Sequence, residues 1–69
     1  MTQKELSYFE DAIGHETNII KIIEESIKML ENEDLINFMN EEIERHTSIK
    51  NNLLNKLEGE ANAWSNNNG

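Results

Sequence analysis

The chain contains no cysteine, no proline and only three glycines, and it holds few basic residues and no long apolar run. Each absence removes a class of answer. Without cysteine there is neither a disulfide framework nor a thiolate zinc site, and thiol usage says nothing about compartment. Without proline nothing interrupts a helical period. With six basic residues against 14 acidic ones, and a formal charge of −8, nucleic acid and anionic membrane surfaces are disfavoured as partners, because counterion release needs clustered Lys and Arg. Cations and basic surfaces are the electrostatically favoured ones. No apolar stretch approaches the roughly 18 residues that a membrane span requires, and Met1-Thr2-Gln3-Lys4 leads straight into charged, amphipathic sequence. The expectation is a soluble, cytoplasmic protein. Missing too are a Gly-rich phosphate loop, a catalytic cysteine and a Ser/His/Asp arrangement, so most reaction classes find no support.

What is present is helical periodicity. At about 100° per residue, Phe9, Ile13, Ile20, Ile23, Ile27 and Leu30 recur at alternating spacings of three and four, flanked by Ala12 and Ile19. A second stripe runs through Leu35, Met39, Ile49 and Leu53, flanked by Phe38 and Ile43. Thr2 followed by Glu5 has the form of a capping box, in which hydroxyl and carboxylate each satisfy a free backbone N–H. Asn32 is the corresponding cap for a second helix, with Glu33 and Asp34 at its positive end. Lys56 and Gly59 read as its C-terminal signals. These signals predict an all-α fold: a two-helix antiparallel hairpin over 1–58, with helices about 3–31 and 33–58, and a mobile tail over 59–69 carrying Trp64 in an Asn-rich run.

At 69 residues such a hairpin has more apolar stripe than one neighbouring helix can cover, and chains this short rarely supply enough core alone. The economical solution is a homodimer whose hairpins pack into a four-helix bundle. Gly14 lies opposite the apolar stripe, where it either admits a close helix or is neutral. Glu10, Glu24, Glu25, Glu41 and Glu44 point away from the stripe and read as a solvated face.

Three ionisable residues interrupt the stripes themselves. Glu16 occupies the slot between Ile13 and Ile20, and Glu42 and His46 fill the two turns skipped between Met39 and Ile49. Burying such groups without partners costs several kcal/mol, a large share of a small domain's stability. They therefore ask for a metal ion, a shared proton or water. With the turn centred near residues 32 and 33, Glu16 faces a position near Ile49 and His46 lies about 4–5 Å further along. Glu42 and His46, four apart, stack on one face. Two-fold symmetry would double the trio to four Glu and two His, the ligand inventory of dinuclear carboxylate proteins. Iron, manganese or zinc suits such oxygen-rich sites with imidazole. Asp11 and His15 form a second acid/histidine pair at the same spacing, a possible secondary ligand pair or an exposed one without function. A metal-free hydrogen-bonded network fills a bundle core equally well, and Lys50 or Arg45 of a neighbouring chain could also meet the carboxylates.

The chain here resembles the ferritin-like superfamily, whose metal sites take one Glu from one helix and an E-x-x-H pair from the next. Glu42-Ile43-Glu44-Arg45-His46 is instead E-x-x-x-H, with Ile43 where the family has its bridging Glu. The opening from Gln3 to Glu16 (QKELSYFEDAIGHE) resembles short clostridial spore-coat-like proteins of the coat protein F type, a likeness that covers about Gln3 to Leu57. It implies a helical bundle with a spore-coat association and spore-coat protein partners. Three functions compete: a minimal metal-binding or ferroxidase unit, a structural hairpin dimer in a coat or scaffold, and an acidic inhibitor of a basic partner.

Overall fold

The computed structural model describes the backbone of residues 1–68 and the side chains of residues 1–63. Two helices, α1 (Gln3–Ile27) and α2 (Glu33–Asn68), pack against each other as an antiparallel hairpin. Both starts follow from their caps. Thr2 accepts from the Glu5 amide at 3.0 Å while the Thr2 amide donates to Glu5 Oε1 at 2.7 Å, the reciprocal capping box. At α2 the Leu35 amide donates to Asn32 Oδ1 at 3.1 Å, and Glu33 and Asp34 sit in the first turn.

The helix ends differ from the sequence expectation. α1 stops at Ile27 rather than near residue 31. Its last amides tighten into i−3 bonds, Met29 to Ser26 and Leu30 to Ile27. Stopping there frees Asn32 to cap α2 and keeps Glu31, Glu33 and Asp34 out of the negative C-terminal turn of α1. α2, in contrast, does not end at Lys56–Gly59 but continues to Asn68. Gly59 has no positive φ and so cannot form a left-handed cap. Glu60 supports the extra turn by pairing with Lys56 at 4.0 Å and with the Met1 amine at 3.7 Å across the hairpin. The side chain of Trp64 and residue 69 lie outside the described residues.

Because the turn occupies 28–32, levels along the two helices match when their numbers sum to about 62. The half-buried side chains then fall on a heptad seam. On α1 and the turn after it they are Leu6, Phe9, Ile13, Glu16, Ile20, the more buried Ile23, Ile27 and Leu30, with Ala12, Ile19 and Ser26 half-buried beside them. On α2 they are Ile36, Met39, Ile43, His46, Lys50, Leu53, Leu57 and Glu60, with Glu42 half-buried beside them. The α2 stripe is thus rotated from the expected one: Leu35 and Ile49 are 51% and 37% exposed, while Ile36 and Lys50 take the inward positions. Lys50 can lay its aliphatic stem along the seam. Among the described residues the only buried hydrophobic is Ile23, still 9% exposed. The molecule is a rod of 54 × 17 × 12 Å with a radius of gyration of 16.1 Å, against about 11 Å for a compact domain of this length.

Candidate functional site

The three candidate ligands of the two stripes converge at mid-length. Glu16 and His46 are direct opposites across the seam, with His46 Nδ1 2.5 Å from Glu16 Oε2. This is closer than a turn centred on residues 32 and 33 implies, because the early end of α1 moves the crossing point toward residue 31. Glu42, one turn before His46 on α2, places Oε2 3.7 Å from His46 Nε2. The imidazole therefore turns one nitrogen to the facing helix and the other to its own. All three side chains are 14–21% exposed, largely withdrawn from water.

Arg45 completes the row from outside. Its guanidinium lies 3.5 Å from Glu42 Oε1, so one oxygen of Glu42 faces a permanent cation and the other faces the imidazole. The compensating arginine comes from the same chain; the i,i+3 spacing of Glu42 and Arg45 on one helix is the signal that could have located it. Nδ1 is within hydrogen-bond reach of Glu16, whereas Nε2 faces Glu42 at an ion-pair distance, so a ring with protons on both nitrogens would pair with both carboxylates. No buried side-chain polar atom among the described residues lacks a hydrogen-bond partner.

The ring's two nitrogens diverge, so the two carboxylates do not share one coordination point in this arrangement. Among the described residues no group of three or more histidine, cysteine or acidic side chains is spaced to hold a metal ion as it stands. To ligate one ion, a carboxylate would have to swing to the other's nitrogen. Asp11 and His15 are both exposed, and neither makes a hydrogen bond or ion pair with the trio. Gly14 meets nothing within 4 Å of an added Cβ, so no helix approaches it within the hairpin.

At the hairpin's open end, Met1, Glu5, Tyr8 and Phe9 of one arm and Lys56 and Glu60 of the other line a shallow groove. The Glu5 carboxyl there is held below the usual carboxylate range, chiefly because it accepts the Thr2 backbone N–H, with the Thr2 side chain adding to the effect. Among the described residues no helix is long and apolar enough to cross a membrane. Compared with protein-family models, curated proteins and solved structures, the chain matches none.

Proposed function

We propose that this chain is a structural assembly module: a helical hairpin that pairs with a second copy into a four-helix bundle, as a component of a coat or scaffold. The observation that carries this reading is the Glu16–His46–Glu42 row, in which each ring nitrogen meets a carboxylate of the same chain and Arg45 neutralises the outer one. Such a row needs no ion to be satisfied. Sliding one helix by a turn would separate Glu16 from His46, setting His46 against an apolar residue either way and Glu16 against Ile43 in one direction or Lys50 in the other. The row therefore acts as a register lock, the best-attested use of buried polar groups in helical bundles. Its location in a spore coat rests on the resemblance of the Gln3–Glu16 segment alone.

A second reading is a minimal ferritin-like metal protein. It is favoured by the convergence of Glu16, Glu42 and His46 within one turn at mid-length, since two copies would bring four Glu and two His to the middle of a bundle. Iron, manganese or zinc would be held by these residues after a carboxylate rotates. The experiment that separates the readings is elemental analysis and native mass spectrometry of protein purified without an affinity tag and exposed to Fe²⁺, Mn²⁺ and Zn²⁺. A metal-free dimer insensitive to chelator is the expected result. One or two ions per dimer, lost in Glu16→Ala, would replace the structural reading with the metal one.

A further inference from the structure

The heptad seam leaves the two flanks of the hairpin unlike. In an antiparallel pair, the residues just before Leu6, Ile13, Ile20 and Ile27 on α1, and those three further on, lie on the same side of the seam as the residues just before Ile36, Ile43, Lys50 and Leu57 on α2 and those three further on. Glu5 and Tyr8 lining one groove with Lys56 show this side directly. Continuing along it from Tyr8, the helical positions place Ile19 and Ile22 of α1 beside Leu35, Phe38 and Ile49 of α2. Tyr8, Ile22, Leu35, Phe38 and Ile49 are 60, 64, 51, 55 and 37% exposed. The opposite flank carries Glu10, Thr17 and Glu24 against Asn40 and Thr47, with Leu54 as its one exposed large hydrophobic among the described residues.

Charge separates the flanks again. The chain carries −8 overall, yet on the apolar flank the acids Glu5 and Glu42 are matched by Arg45 and Lys56. A basic partner would find no attraction there, whereas two copies of an acidic chain can meet across this flank without repulsion. The area agrees. A compact protein of 8.0 kDa would expose about 4,400 Å², and this chain exposes 5530 Å². The excess of roughly 1,100 Å² per chain, or about 2,200 Å² for two, falls where obligate homodimer interfaces begin.

We propose that a second copy of this chain covers the flank formed by Tyr8, Ile19, Ile22, Phe38 and Ile49, placing Glu42 of each copy near the centre of the interface. This rests on the dimer reading above and adds which face is used. The Glu16–His46 level lies midway along the paired helices and Glu42 one turn from it, so two centred hairpins bring their Glu42 side chains level if they run the same way and about 12 Å apart if they run oppositely.

The test is sedimentation equilibrium of the full chain beside Phe38→Glu, Ile22→Glu and Leu54→Glu. All three positions are exposed in the hairpin, so each change acts on association first. The expected result is a dimer for the wild type and for Leu54→Glu. Phe38→Glu and Ile22→Glu should weaken the dimer at least 100-fold, whether the released chain stays helical or unfolds. A dimer that persists in both, or one lost in Leu54→Glu alone, overturns the choice of face while leaving the dimer itself standing. A monomeric wild type removes the dimer reading and this inference together.

Discussion

His46 on α2 meets Glu16 on α1, 30 residues away in the chain, through a 2.5 Å contact from Nδ1 to Oε2 at the middle of the hairpin. The contact replaces an apolar layer with a polar one in a molecule whose only buried hydrophobic, among the described residues, is Ile23. Its value lies in specificity, because it is satisfied in one helix register and broken in the neighbouring ones.

Breaking the contact from one side should cost more than removing it. Glu16→Ala leaves His46 withdrawn from water without its main partner, a loss of about 1–3 kcal/mol. Replacing Glu16, Glu42 and His46 together by Leu should keep or raise stability while loosening register or changing the oligomer. Urea unfolding compared with native mass spectra checks both, and loss of folding in the triple variant would count against a register role.

The capping box makes a pH-dependent contribution. The Glu5 carboxyl has a lower pKa in the folded chain than in the unfolded one, so the folded state binds its proton less well. Its stabilisation is complete above the unfolded carboxylate range and is lost as the pH falls through the depressed folded value. Thermal unfolding of wild type and Glu5→Gln should therefore differ at neutral pH and converge in acid. Thr2→Ala should lower stability by about 0.5–2 kcal/mol.

Gly59 separates a helix interior from a helix end. Lying within α2 with open space around a prospective Cβ, it should accept Ala with a gain of about 0.5–1 kcal/mol and more far-ultraviolet helix signal. Were Gly59 a left-handed cap, the same change would destabilise. Gly14→Ala should stabilise similarly, and a loss there would reveal a close contact made in the assembly.

Much of this architecture was legible in the residues. Thr2 with Glu5 and Asn32 with its following acids marked both helix starts, because capping depends on local chemistry. Glu16, Glu42 and His46 stood out because each interrupts an apolar period. The rotation of α2 was not legible: Leu35 and Ile36 are adjacent apolar residues, as are Ile49 and the lysine stem of Lys50, and periodicity cannot choose between faces one residue apart. The facing helix chooses, by pairing Glu16 with His46. The ends of both helices fall elsewhere than Glu31 and Gly59 indicate, because these are weak signals, overridden by the Asn32 cap and by the pairing of Glu60 with Lys56 and the Met1 amine.

Glu42 sits on the flank proposed to meet the second copy, with its carboxylate between Arg45 and His46. Glu42→Leu should tighten self-association, seen as a lower dimer dissociation constant in sedimentation equilibrium. It should also release Arg45 to solvent, so the tighter association should depend less on salt. Weaker association would show that Glu42 makes a favourable contact across the interface.

The central claim is that this hairpin is half of a bundle held by apolar contact and a metal-free polar row. Its most direct test is the solution mass at micromolar concentration with a strong chelator present. The account predicts a helical species of twice 8.0 kDa, unchanged by chelator. A folded monomer of 8.0 kDa, or a dimer that dissociates when metal is removed, would contradict it.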